Sequence, residues 1–442
     1  MLNPRRTGQE GQTLVLVAVC LFVLIAMAAL AIDLTTLYVA RGEMQRAADA
    51  AALAGAKAFV DSGTTTATTT EPALQTLAQT MGTQIINSLL TQNTVGGATP
   101  ALVGAPVYDF SNPGNPKITV TLQRTDVPTF FAKIFGQRLV KVTATATAEA
   151  YNSSNPPGGA GANMPPVAPS CVKPWLIPNY DPQHSPDPFV IPATGALAHP
   201  GIYPAGIIGE EITLLNDCNP GGPVCTPVDP LPIAHPPGGL DFLAAQLAAA
   251  SGTCPSCAGG TDYEQSTACC DTGNSAQYAC GASAPGVLID LTTNIITNTI
   301  TSVECLIGAS SAGYGAGQDE IGLGTGAQPP ADSFGNFLAS NGNDPIEILS
   351  GSGSHAGQMV TTSPSIVTIP IYDTTGVINL VAPVKIIGFM QAFVEQAMPA
   401  PGNGNVQIYV LNISGCGPNV NTALTPVTGG GVSPVPVRLI HN

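Results

Sequence analysis

Charge is what this chain has least of. Asp, Glu, Lys and Arg make up 9% of its 442 residues, against roughly 25% in ordinary soluble domains. Basic residues are almost confined to the first third. Residues 1–150 hold ten Lys/Arg and nine Asp/Glu, whereas residues 151–442 hold three against nineteen, a net charge of −16. A surface that acidic repels phosphate backbones, which excludes nucleic acid as a partner. It also offers no ordered loop of calcium ligands. Histidine is scarce too: His184, His199, His235, His355 and His441 stand far apart in sequence. There is no His-Glu-x-x-His, no Gly-x-Ser-x-Gly, no phosphate loop, no dinucleotide fingerprint and no fixed-period repeat. The expectation is a protein that is not an enzyme, with no catalytic residue, cofactor or metal ligand to name. Trp175, the single tryptophan, is expected to anchor a core.

What the chain does have begins at Leu14. From Leu14 to Ile32 nineteen residues pass without a charge or strongly polar side chain, about 28 Å of helix at 1.5 Å per residue, close to the hydrocarbon thickness of a bilayer. Arg5 and Arg6 precede the run, so the positive-inside rule keeps residues 1–13 in the cytoplasm and places the rest outside it. A cleaved secretory signal is the competing reading, since Ala29-Leu30-Ala31 is a small-x-small site. The apolar run is longer than a signal core, and its helical pattern continues past that point. Asp33 marks the end of the span; the functional alternative is a partner for a basic group on a neighbouring helix.

Ten of the eleven cysteines lie beyond residue 170: Cys171, Cys218, Cys225, Cys254, Cys257, Cys269, Cys270, Cys280, Cys305 and Cys416. An even number on the oxidising side of a membrane reads as disulfides, with pairing left open. Cys254-Pro255-Ser256-Cys257 has the spacing of a thiol oxidoreductase or half a zinc site, but loop-forming residues surround it and no second ligand pair follows.

Along the chain, Leu37, Arg41, Met44, Ala48, Ala51, Gly55 and Ala58 recur at alternating four- and three-residue steps, a heptad seam. Ala48, Ala51 and Gly55 would let another helix approach closely; the plainer alternative is packing on the chain's own domain. Thr70 and Pro72 predict the start of a second helix with Leu74, Leu77, Ala78, Met81, Ile85 and Leu89 on one face. Alternation predicts strands around Ile118–Leu122 and Val140–Ala148, joined through a short aromatic helix, Phe130–Phe135, stopped by Gly136. Residues 151–170 read as a linker. Ile366–Tyr372, Val384–Val394 and Val406–Ile413 read as strands of a buried sheet, completed by the first module. The class is α+β: a transmembrane helix continuing into a helix-plus-sheet module (33–150), then a disulfide-braced β-rich domain (171–442). Asn152-Ser153-Ser154 and Asn412-Ile413-Ser414 match the glycosylation sequon, to which no role is given.

Residues 8–58 resemble the N-terminal segment of the TadE/TadG-like proteins of Flp (tight-adherence) pilus assembly. The resemblance runs through Gly11-Gln12-Thr13-Leu14-Val15, Ala31-Ile32-Asp33-Leu34, Leu37-Tyr38 and Arg41, and ends on Gln45-Arg46-Ala47-Ala48-Asp49-Ala50-Ala51-Ala52-Leu53-Ala54-Gly55-Ala56. It implies a single-pass inner-membrane, pilin-like component of a pilus or secretion apparatus. Its partners would be the bilayer and other pilus-assembly or pilin-like membrane proteins, met through the N-terminal helix. An anchored adhesin or carbohydrate-binding protein is the alternative. Two family features are missing. Asp290-Leu291-Thr292-Thr293-Asn294 lacks both serines of a von Willebrand A metal motif, and cleavage after Gly8 would put Thr13 where prepilins carry Glu.

Overall fold

The computed structural model describes residues 10–66, 71–136, 138–154, 165–215, 238–244, 254–269, 278–284, 295–309, 318–323, 346–349, 363–375, 384–398, 404–417, 420–427 and 433–440. It begins with one unbroken helix, α1 (Glu10–Asp61), 52 residues long. At 1.5 Å per residue that is about 78 Å. Its two halves do different things. From Leu14 to Ile32 the large apolar side chains are all exposed, on every face of the helix. From Ala40 onward one face is buried: Ala40, Met44, Ala47, Ala48, Ala51, Ala52, Ala56 and Phe59. Alanine adds little bulk, so strands and a second helix come close to the α1 backbone.

A 3₁₀ turn at Thr64–Thr66 follows, then α2 (Pro72–Gln92), which packs antiparallel on α1. Its N-cap is Glu71, without a side-chain cap bond; Thr70 lies outside the described residues. The buried face is Leu74, Leu77, Ala78, Met81, Gly82, Ile86 and Leu90, so the pattern slips by one residue from the expected Ile85 and Leu89. A ridge of four-residue steps (74, 78, 82, 86, 90) faces the core, and Gly82 allows the close contact.

The first sheet comprises β1 (Ala101–Leu102), β2 (Val107–Asp109), β3 (Lys117–Pro128) and β4 (Leu139–Ala150). β3 and β4 pair antiparallel, with a bulge between Arg124 and Val127. Ile118, Val120, Leu122, Val142, Ala144, Ala146 and Ala148 turn toward α1, and hydroxyl pairs Thr119–Thr147 and Thr121–Thr145, each 3.0 Å, line the other face. This is the period-two division the sequence predicted.

The second sheet is separate. In chain order its strands are β5 (Trp175–Pro178), β6 (Glu211–Leu215), β7 (Gly239–Asp241), β8 (Leu243–Ala244), β9 (Ser283–Ala284) and, after the separate antiparallel pair β10 (Glu320–Leu323) and β11 (Ile346–Leu349), β12 (Ile366–Tyr372), β13 (Val384–Met398) and β14 (Asn405–Gly415). The lateral order is β7-β6-β14-β13-β12-β5-β8, with β9 against β13. Helices α3 (Asp262–Ala268) and α4 (Ile295–Leu306) belong to the same body. The central strands read as continuous apolar runs because both faces are covered. Val406, Ile408 and Val410 join Tyr263 of α3 and Val303 of α4 in one core. Tyr409 and Leu411, pointing the other way, meet Leu74 of α2.

The first module therefore covers the second sheet; it does not complete it, as the sequence reading had expected. The strand that joins the first sheet is instead the C-terminal β15 (Val437–Ile440), antiparallel to β4 and held by an Arg438–Glu149 ion pair at 2.6 Å.

The segment read as a linker is tied down at both described ends. Asn152, Ser153 and Ser154 are buried, and Val167 bridges to Val427. Asn152 Nδ2 donates to Thr65 O (2.9 Å) and Ile413 O (3.0 Å). Asn412 Nδ2 donates to Val60 O (3.0 Å) and Thr65 Oγ1 (2.7 Å), while Asn412 Oδ1 accepts from Thr66 Oγ1. The two sequon asparagines, both fully buried, thus form the polar joint between the modules.

Candidate functional site

Asp33 sits one residue past the apolar run. Its carboxylate accepts from the backbone N–H groups of Phe130 (2.7 Å), Phe131 (3.1 Å) and Ala132 (2.6 Å). These are the free donors at the start of the 3₁₀ turn Ala132–Phe135 at the tip of the β3–β4 hairpin, so Asp33 caps that turn from a helix 97 residues away in sequence. Gly136, at φ 92°, ends the turn in a conformation glycine adopts without strain. The hairpin tip is thereby fixed at the level where the apolar half of α1 ends. It presents Phe130, Ile134 and Leu139, 53%, 75% and 51% exposed, beside exposed Lys133, Arg138 and Lys141. Tyr38, 81% exposed, stands on α1 just beyond Asp33. Sequence reading placed Asp33 at the interface and a short helix at Phe130–Phe135; it had no signal that the two meet.

Ala48, Ala51 and Gly55 form a packing seam, and what they pack against is their own chain. Ala48 and Ala51 are buried under the first sheet. A Cβ on Gly55 would lie 2.6 Å from Ile118 Cδ1 and 3.0 Å from Ile86 Cδ1. The seam is consumed within the module, the plainer of the two sequence alternatives.

Among the described residues the cysteines pair as Cys254–Cys269, Cys257–Cys305 and Cys280–Cys416. Cys171 is disulfide-bonded as well, and Cys20 is free and exposed on the apolar half of α1. Cys218, Cys225 and Cys270 lie outside the described residues, as do Asp290–Asn294. Cys254 and Cys257 are bonded to different partners and not to each other, which removes the thiol-oxidoreductase arrangement. Both bonds clamp α3 and α4. Lys173 joins that clamp, its Nζ donating to Thr267 O (2.7 Å) and Cys269 O (2.9 Å). Burial lowers its ammonium to about 7. Trp175 is fully buried with Nε1 on Tyr263 Oη (3.1 Å), a core role.

One group escaped the sequence reading altogether. Asp181, His184 and Glu210, drawn from two loops, bring one ligand-type atom each to within 4.8 Å of one another. Asp181 and Glu210 are completely buried. Asp181 Oδ1 accepts from Gln183 N and His184 N, 3.0 Å each, and Asp181 Oδ2 faces His184 Nδ1 at 2.8 Å. Glu210 Oε2 lies 3.9 Å from the same nitrogen. Neither Glu210 oxygen has a hydrogen-bond partner. Burial first, then the neighbouring Asp181 carboxylate, pushes the Glu210 carboxyl up to about 10. His199 stacks on His184 with ring centroids 4.3 Å apart and is held by Asp187 at 2.9 Å. The histidines that sequence spacing scattered are thus neighbours, because contact across folded loops leaves no fixed interval to read.

The long helix is the part of the chain that resembles a known family. Residues 11–58 match the Flp pilus-assembly TadE/G-like family. No curated protein and no solved structure matches the chain. The Tad segment is α1 almost end to end: its apolar half, the Asp33 cap and the alanine seam all fall inside it. The match points to a role in Flp pilus assembly, and one long apolar helix is compatible with a single-pass anchor.

Proposed function

We propose that this protein is a membrane-anchored, non-enzymatic component of an Flp pilus-assembly apparatus. In this reading Leu14–Ile32 crosses the inner membrane, residues 1–13 face the cytoplasm, and the two modules stand outside it among other pilus-assembly or pilin-like proteins. The observation that carries the reading is the coincidence of the Tad match with a helix whose Leu14–Ile32 stretch leaves every large apolar side chain exposed. A helix apolar on all faces and uncovered needs lipid or other helices around it. Since the seam from Ala48 to Gly55 is taken up internally, partner helices are left the Leu14–Ile32 stretch.

Fractionation of cells provides the test. Full-length protein is expected in the inner membrane, resistant to alkaline extraction and absent from sheared filaments. Recovery in the filaments would make it a structural subunit, and a soluble chain beginning near Ile32 would overturn the anchor.

The hairpin tip gives this reading a local consequence. Aromatic and basic side chains together mark the boundary between acyl chains and headgroups, and Asp33 fixes Phe130, Lys133 and Ile134 at that depth. With Ile134→Trp in reconstituted protein, lipids brominated near the headgroup should quench the added fluorescence by about half, leaving the buried Trp175 unaffected. Equal emission in brominated and plain lipid would mean that the tip faces a protein or water instead.

A further inference from the structure

We propose that Asp181, His184 and Glu210 bind a divalent transition-metal ion of the zinc type. The argument starts from the hydrogen bond on the far side of the imidazole. His184 Nε2 lies 2.9 Å from Pro204 O, and a carbonyl oxygen can only accept, so the ring proton belongs on Nε2. With the ring proton there, the Nδ1 lone pair is directed at the space shared with Asp181 Oδ2, 2.8 Å away. Two backbone N–H groups occupy Asp181 Oδ1 and aim Oδ2 at the same spot. Glu210 completes the ring of acceptors with a carboxyl group that is fully buried and makes no well-formed hydrogen bond at either oxygen.

In that tautomer three atoms able to offer a lone pair converge on one point. A proton on His184 Nδ1 would satisfy the Asp181 pair, and Glu210 would avoid the several kcal/mol cost of a buried uncompensated ion only by holding a proton of its own. One cation at the centre satisfies all three.

The donor set selects the kind of ion. An imidazole nitrogen with two carboxylates suits zinc and its first-row neighbours, whereas calcium and magnesium take oxygen shells. Bonds of about 2.0 Å at tetrahedral angles separate neighbouring ligand atoms by about 3.3 Å. The observed separations of 2.8 and 3.9 Å lie on either side of that value. The bond from Nε2 to a backbone carbonyl is the outer partner that ligating histidines usually have. The stacked His199 ring closes that side. Such an ion would tie the 181–187 loop to the start of β6 and make the second module's outer loops metal-dependent.

The experiment uses the full-length protein in detergent, stripped with EDTA and titrated with zinc chloride by calorimetry. One equivalent is expected per chain, with a rise in Tm, and Glu210→Gln should weaken binding at least a hundredfold. Gln keeps the volume and removes the carboxylate ligand, so this variant should fold, with a metal-free Tm close to the parent's. X-ray absorption on the zinc-loaded parent needs no variant: it should show nitrogen and oxygen neighbours including imidazole, and no sulfur. Absence of stoichiometric zinc, parent-like affinity in Glu210→Gln, or sulfur ligation would each overturn the proposal.

Discussion

Full-length protein carrying Cys280→Ser and Cys416→Ser together is expected to unfold about 8 °C below the parent, with a loss of about 4 kcal/mol. The bond spans 136 residues, and the chain-entropy model gives a ceiling near 5 kcal/mol for a loop of that length. Cys254–Cys269 lies wholly before that loop and Cys257–Cys305 straddles its start, so neither shortens it appreciably. Cys416 follows β14, and Cys280 precedes β9, which pairs with the first residues of β13. The bond thus staples the edge of the longest strand pair in the second sheet. At roughly 2–4 °C of Tm per kcal/mol for a domain of this size, the shift is readily measured by scanning calorimetry in detergent. Replacing both residues avoids leaving a reactive free thiol. A Tm unchanged in the double variant would show that the loop is already ordered when unfolded.

Asn412→Ala is expected to cost about 3 kcal/mol and to uncouple the modules. The amide makes three hydrogen bonds at a point with no water access, two of them to the turn that ends α1. Removing it takes a donor from the Thr65 hydroxyl and the acceptor from the Thr66 hydroxyl, while Val60 O keeps Gly63 N and Thr66 Oγ1 keeps Ile413 N; each buried group left short costs about 1–3 kcal/mol, not additively. Ala148, Ile118 and the α1 alanines belong to one core, and β12–β14 to another, so cooperation runs through this joint, the bonds of Ser153 and Ser154 to Ser414 and Gly415, and the apolar contacts of Leu74. Urea unfolding should pass from one transition in the parent to two in the variant. A single transition with an unmoved midpoint would show that apolar contact alone couples them.

The parts legible in sequence were those governed by local periodicity. α1, β3 and β4 follow from runs of 3.6 and 2, and β12–β14 follow from apolar stretches too short for helices. The phase of α2 was misjudged past Met81, because a helix lying along its neighbour by four-residue ridges drifts off a mixed three-and-four pattern. What stayed hidden depends on contacts between distant segments. Nothing about Asn152 or Asn412 distinguishes a joint from a surface sequon, since Asn-x-Ser states only that an amide and a hydroxyl are near each other. Asp33 was marked by its place after Ile32, while its partners, three backbone amides, carry no side-chain signal. Glu210 was invisible for the same reason: its neighbours come from a loop closing back over about 25 residues.

β15 bears on the order in which this protein can be made. Its residues 437–440 pair with 147–150, so the first sheet lacks one border until synthesis has passed nearly 300 residues beyond β4. During that interval β4 offers a row of unpaired N–H and C=O groups, and an open strand border invites pairing with other nascent chains. Contacts across so long an interval in sequence also form slowly. Folding of this protein therefore calls for something to occupy that border in the meantime, and a stop codon upstream of Val437 would release a product whose β4 edge never closes.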